Sequence, residues 1–473
     1  MDDVVFLPIE QLSGLLAQGQ LGAEELTRAY LARIERHDGE LRAYAQVHPE
    51  LALAQARCAD ARRRQGLALG PLDGIPIAVK DLCGLAGQPM AAGSRTLAGR
   101  TAGSTATALQ RLMQAGAVVL GSTQMVEYAF GAWGVNPLLG TPKNPWDRAV
   151  HRVPGGSSSG SGVAVAAGLA AAAIGSDTGG SIRTPSMLNG ITGLKVSAGR
   201  ISLAGCVDLC HTLDTLGPMA RSAWDAALLA GVMAGPDPLD PRTLHRPQPA
   251  IAPAAPVPSA LPLAGVLVAT MPAARHPYAL QPAFARAYQE TVAHLQALGA
   301  TLCEPEFPFD FREMTDQVGQ IIACEGYALY EAVVQDRGAP MGEAVRQRML
   351  GGAALAARDY LRLQAAHRAA CAQWQAWMQD IDALLVPGLP ITAVPLEGLD
   401  ESSTALSLYT RPANFLGACA LALPAGFDEA GLPLGVQLYG KPGDESGLVR
   451  IGQALQSATD WHLRHPVLAL DGA

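Results

Sequence analysis

Long apolar runs are missing from the chain. The purest one, residues 163–175, is Ala/Gly-rich and about 13 residues long, too short to span a bilayer. The N-terminus (MDDVVFLPIE) carries acids where a secretory leader needs bases, and no apolar core follows it. A cytoplasmic protein without membrane contact is the expectation. Basic charge is also in short supply. A formal net charge of −8 argues against a phosphate-backbone binder, so no nucleic-acid partner is expected. Cysteine occurs eight times but only singly, at 58, 83, 206, 210, 303, 324, 371 and 419. The nearest pair, Cys206 and Cys210, has no second pair or histidine cluster at zinc-site spacing. These cysteines read as reduced, mostly buried small hydrophobes, with no metal and no cofactor expected. Several catalytic signatures are absent as well: there is no S-x-x-K, no H-E-x-x-H, and no histidine with an evident partner.

What is present is a globular composition, 49% apolar and 16% charged over 473 residues. Such a chain can bury well over half of the surface it exposes unfolded. Residues 1–70 read as helices, with Leu26, Tyr30 and Ile34 on one stripe. Residues 71–235 change texture. PLDGIPIAVKD is a turn and a short strand, and TALQRLMQAGA followed by VVLG is a helix-to-strand step, alternation that favours an α/β sheet. VAVAAGLAAAAIG reads as one buried helix, and SAWDAALLAGVMAG as another. Residues 236–262 hold nine prolines and almost no periodicity, a surface connection. In 263–473, LAGVLVAT, IDALLVPG and LPLGVQLYG are strand candidates, AFARAYQETVAHLQALGA and GLVRIGQALQ are helices, and helical patterning fills the stretch up to Met378.

Three features carry possible chemistry. The first is Lys80, one of only four lysines (80, 143, 195, 441) beside 30 arginines. A desolvated lysine can lose its proton at neutral pH, and an arginine cannot. Lys80 closes the apolar run IPIAVK, where burial would lower its pKa, although a strand-end lysine with its head in water fits the same pattern. The second is the run from Gly155 to Gly162 (GGSSSGSG). It lacks the lysine of a phosphate-binding loop. It formally matches a nucleophile elbow at Gly156, Ser158 and Gly160, yet the preceding HRVP reads as a loop rather than a strand. An ordered loop leading into a core helix fits it better than a flexible linker. The third is GSDTGGSIR, residues 175–183. Two glycines before Ser181 let successive backbone N–H groups converge, a nucleophile beside an oxyanion hole, or else a capped tight turn.

Together, PLDGIPIAVKD, PGGSSSGSG and SDTGGSIRTPSMLNGITGLK resemble the amidase signature family of serine hydrolases, in the same order. The serine segments stand 24 residues apart (157 to 181), which fits that family. LDTLGPMARSAWDAA and TRPANFLGACALALPAGFDEAGLPLGVQLYGKPGDE extend the likeness over nearly the whole chain. The resemblance implies a Ser-cisSer-Lys triad: Ser181 as nucleophile, Ser157 as bridging serine after a cis peptide from Gly156, and Lys80 as base. It implies backbone N–H donors around Thr178, Gly179, Gly180 and Ser181. Ser158 and Asp177 would stabilise the two loops, and Arg183 would form a structural ion pair. The implied fold is one large α/β domain, 1–473, a twisted mixed sheet with helices on both faces, and the implied assembly is a homodimer.

The resulting expectation is an amidase that hydrolyses a small carboxamide through an acyl-enzyme. The alternative is the glutamine-hydrolysing A subunit of a tRNA-dependent amidotransferase, which works in a complex. That subfamily is expected to place an acid a few residues before the N-x-x-G segment. Residues 402–413 hold none, and Ser407 falls near the place, while Arg348 could still anchor a carboxylate. An esterase using Ser158 and a non-catalytic binding protein are further readings. The variable loops 125–133, 206–211, 321–330 and 388–410 should build the substrate pocket. Met125, Tyr128, Trp133, Tyr327 and Arg348 are the candidate substrate-binding residues, and Tyr128, Phe130, Trp133 and Tyr327 lean toward an apolar or aromatic acyl group.

Overall fold

The computed structural model describes residues 3–244, 249–255 and 259–468. In chain order its strands are β1 (Tyr44–Val47), β2 (Pro76–Lys80), β3 (Val118–Thr123), β4 (Ala172–Ser176), β5 (Thr192–Lys195) and β6 (Leu216–Ala220). They continue as β7 (Leu267–Thr270), β8 (Thr301–Cys303), β9 (Ala383–Pro387), β10 (Cys419–Phe427) and β11 (Pro433–Gly440). All eleven join one sheet in the order β1-β3-β2-β4-β6-β5-β10-β11-β9-β7-β8. The sheet is mixed: β2 runs parallel to β3 and β4, and β7 parallel to β8 and β9, while the other pairings are antiparallel. Every residue of β2, β3, β4, β6, β9 and β11 is buried, so both faces of the sheet are covered. The fold is the expected α/β class with a large central sheet.

The Pro-rich connection does not divide this sheet, because β5, before it, pairs antiparallel with β10, after it, and the strand order runs on across that joint. Residues 245–248 and 256–258 of that connection lie outside the described residues. The N-terminal stretch is not purely helical. Between Ala23–Leu41 and Pro49–Arg64 the chain lays β1 antiparallel on β3, giving the sheet an edge. Leu26, Tyr30 and Ile34 are buried as the stripe required. The Ala-rich run expected as one helix splits into a helix, Ser159–Ala166, and strand β4. Gly168, at φ +72°, turns the chain between the two in a conformation alanine rarely adopts. β5, β6, β8 and β10 escape a pattern reading. β6 carries Pro218 opposite Ile174 and β10 carries Pro424 opposite Gly435, and proline argues against a central strand. Here β5 pairs with β6 only through Ala220 and Met219, so Pro218 needs a ladder on one side alone. Of the eight free cysteines only Cys83, Cys210 and Cys419 are buried, fewer than expected. No described helix is long and apolar enough to cross a membrane.

Candidate active site

Parallel pairing of β2 with β4, register Val79 to Ile174, sets the carboxyl ends of these strands side by side. β2 ends in Lys80 and β4 in Ser176. The N-terminus of the helix Ser159–Ala166 brings Ser157 and Ser158 to the same place. Lys80 is completely buried, and its Nζ lies 2.7 Å from Ser157 Oγ, 2.9 Å from Ser158 Oγ and 2.8 Å from Ser176 Oγ. None of these partners is a carboxylate. Burial pushes the Lys80 amine down from 10.5 to about 7, against the pull of Cys83, Asp177 and Asp214. The positive end of the helix at Ser159 works in the same direction as burial.

Hydrogen-bond accounting fits an uncharged amine. Ser158 donates its hydroxyl hydrogen to the carbonyl of Ser176 at 3.2 Å, and its oxygen accepts the Ser176 N–H at 3.2 Å. Ser158 therefore meets Lys80 as an acceptor. A neutral amine has two N–H groups and one lone pair. The N–H groups serve Ser158 and Ser176, which leaves the lone pair for the Ser157 hydroxyl. The Gly156–Ser157 peptide is cis. Ser158 is fully buried and is held by Lys80 and Ser176, an arrangement that leaves no room for the nucleophile-elbow reading. Ser176 was missed in the sequence, where a serine at a strand end carries no signal.

Ser181 lies one turn beyond β4, in a loop built around Asp177. Asp177 and Arg183 form a completely buried ion pair at 3.0 Å, as expected for Arg183. Arg183 also donates to Thr410 O at 2.8 Å, Gln437 Oε1 at 3.0 Å and Asn414 Oδ1 at 2.7 Å. Burial alone would raise the Asp177 carboxyl, but the Arg183 guanidinium outweighs it and holds that group well below the usual carboxylate range. The Asp177 carboxylate accepts the N–H of Gly180 at 2.8 Å and of Ile182 at 3.2 Å. This corrects the expected donor set, because the Gly180 amide is already spent. The amides of Thr178, Gly179 and Ser181 have no acceptor among the described residues. Gly180 itself sits at φ +119°, and a Cβ there would lie 2.2 Å from Thr410 Oγ1.

A cavity of ≈ 430 Å³ opens over this loop, with Gly156, Thr178, Gly179 and Ser181 in its lining. One wall is apolar (Phe130, Trp133, Leu209, Ile322) and another polar (Gln347, Arg348, Glu401, Ser402, Ser403, Thr404, Ser407, Arg411). Of the expected pocket residues, Trp133 and Arg348 line it, and Met125, Tyr128 and Tyr327 do not. Met125 and Tyr128 are buried in the core, where the Tyr128 ring packs on Tyr330 and its hydroxyl pairs with Thr96. The Tyr327 hydroxyl donates to Glu331 on its own helix at 3.1 Å. The apolar lean of the pocket is therefore only half right. Glu401 and Arg411 went unnoticed because the 401–411 loop meets the catalytic loop only in the folded chain.

The amidase family profile matches residues 25–449. The chain is 38% identical over 497 residues to the A subunit of the glutamyl-tRNA(Gln) amidotransferase from Chloroflexus aggregans, covering 99% of this chain and 100% of that one. Among solved structures it is similar to a protein of a vestigial complex tied to the origins of an s-triazine catabolic enzyme. That match has 32% identity and a TM-score of 0.85, covering 96% of this chain and 98% of the other. It is also similar to the peptide amidase of Stenotrophomonas maltophilia, at 30% identity and a TM-score of 0.82, covering 96% of each chain.

Proposed function

This chain belongs to the amidase family of enzymes acting on amide C–N bonds, and we propose that it opens a carboxamide through an acyl-enzyme on Ser181. The observation that carries the reading is the buried Lys80 amine 2.7 Å from Ser157 Oγ. Neutral Lys80 takes the proton of Ser157 as Ser157 takes that of Ser181, and Ser181 Oγ attacks the amide carbon. The free amides of Thr178, Gly179 and Ser181 receive the developing oxyanion, each worth on the order of 3 kcal/mol. The proton returns along the same path to the leaving nitrogen, and water then releases the carboxylate. Ser181→Ala is expected to lose both turnover and labelling by a fluorophosphonate probe. Full labelling of that variant overturns the assignment.

Two settings share this chemistry. The full-length likeness to amidotransferase A subunits favours glutamine hydrolysis in a complex over a free-standing amidase. The cavity lining carries charge of both signs, Glu401 and Arg411 among it, as a free amino acid would need. Supporting the free-standing setting, Ser407 lines the cavity where an amidotransferase A subunit is expected to carry an acid. Glutaminase activity that appears only with amidotransferase partner subunits establishes the first setting, and hydrolysis by the chain alone establishes the second.

A further inference from the structure

Within the cavity over Ser181 the charges do not balance. Arg348 is held at both terminal nitrogens: Nη1 donates to Phe130 O at 2.7 Å, and Nη2 to Glu401 O at 3.1 Å and to Glu401 Oε2 at 3.3 Å. Arg411 is not. Its Nη1 donates to the carbonyl of Thr315 at 3.1 Å, and its Nε and Nη2 have no hydrogen-bond acceptor among the described residues. Among the described residues the one acid that lines the cavity, Glu401, pairs with Arg348. The acid whose charge acts on Arg411 is Asp316, which is exposed on the helix Phe311–Gln335. Burial and the neighbouring Arg348 lower the Arg411 guanidinium to about 10, which leaves it charged at neutral pH. The wall therefore carries one uncompensated positive charge, in a place where desolvation makes a missing counter-ion costly.

Its position is close to the reacting atoms. A Cβ built on Gly179 would lie 3.1 Å from Arg411 Cγ and 3.6 Å from its Nε, and a Cβ on Gly319 would lie 3.1 Å from Arg411 Nη1. Gly179 carries one of the three free amides, two residues before the nucleophile. Thr410 fixes the approach by donating its hydroxyl to Gly179 O at 2.9 Å. Arg411 lines the cavity, and its Nε and Nη2 without acceptors are the fork that a carboxylate fills bidentately. Resting on the acyl-enzyme reading above, we propose that the substrate is the monoamide of a short dicarboxylic acid, whose free carboxylate docks on Arg411. Arg348, already paired with Glu401, holds the cavity wall and leaves the carboxylate to Arg411.

The test compares malonamate, succinamate and glutaramate with acetamide, propionamide and butyramide, and includes glutamine, on wild type, Arg411→Gln and Arg411→Lys. Wild type is expected to prefer one of the carboxylated amides over its uncharged counterpart by at least 100-fold in kcat/KM. Arg411→Gln should raise KM for it at least tenfold, with a much smaller change for the uncharged amides, and Arg411→Lys should recover part of the loss. Fluorophosphonate labelling of Ser181 reports whether each variant is folded. The corresponding dicarboxylate should slow that labelling in wild type and not in Arg411→Gln. Equal turnover of charged and uncharged amides, or dicarboxylate protection that survives Arg411→Gln, overturns the docking site and leaves the hydrolase reading standing. Labelling of Ser181→Ala overturns the hydrolase reading, and this proposal with it.

Discussion

Lys80 has three hydroxyl oxygens within 2.9 Å and no acid among its hydrogen-bond partners. A guanidinium cannot give up its proton in such a site, so Lys80→Arg and Lys80→Ala are both expected to lower kcat about 10²- to 10⁴-fold. Recovery of activity in Lys80→Arg would remove the base role. Ser158 and Ser176 act through Lys80 by accepting its two N–H groups. Replacing either by alanine is expected to cost only about 1 kcal/mol, but to move the midpoint of the pH–rate profile. A loss of rate with the midpoint unmoved would make them ordinary packing residues. At this scale Lys80, Ser157 and Ser181 were legible because each stands in a contiguous motif. Ser176 and Arg411 were not, since their roles come from contacts made across the sheet and between loops distant in sequence.

The loop between β4 and the helix Arg183–Leu188 depends on Gly180, which has a positive φ and a backbone packed against Thr410. Gly180→Ala is expected to displace the amides of Gly179 and Ser181 and to lower kcat about 10²- to 10³-fold. Adding Thr410→Ala should not restore it, because the strained φ remains. Full activity of Gly180→Ala would show that the loop tolerates the shift. The Asp177–Arg183 pair fixes the same loop from below, and Asp177→Asn is expected to cost about 3–5 kcal/mol in urea unfolding by leaving Arg183 buried without a counter-charge. The pattern of elements was readable where apolar runs were short and bounded, as in IPIAVK and LPLGVQLYG. It failed at β6 and β10, where proline inside a paired strand hid the signal, and in the Ala-rich run, where composition suits a buried helix and a buried strand equally well.

Across the whole molecule, one sheet collects strands from both sides of the Pro-rich connection and carries the base and the nucleophile loop on neighbouring strands. The family likeness anticipated this arrangement, whereas helix and strand alternation alone could not have ordered eleven strands. Burying Lys80 also leaves a mark on global stability. Its folded pKa, about 7, lies below the 10.5 of the unfolded chain, so between these values the unfolded state binds more protons. Stability from this group therefore rises with pH across that window, by up to about 1.4 kcal/mol per pH unit. Lys80→Met should lack this component of the slope in urea titrations from pH 7 to 10, and identical slopes in the two proteins would contradict it. The same proton can be watched directly. With only four lysines in the chain, NMR of protein labelled with ¹³C at lysine Cε should resolve Lys80 as the resonance missing from Lys80→Met. This resonance is expected to titrate with a midpoint near 7. A Lys80 resonance that stays in its charged position up to pH 10 would rule out a neutral Lys80 as the base.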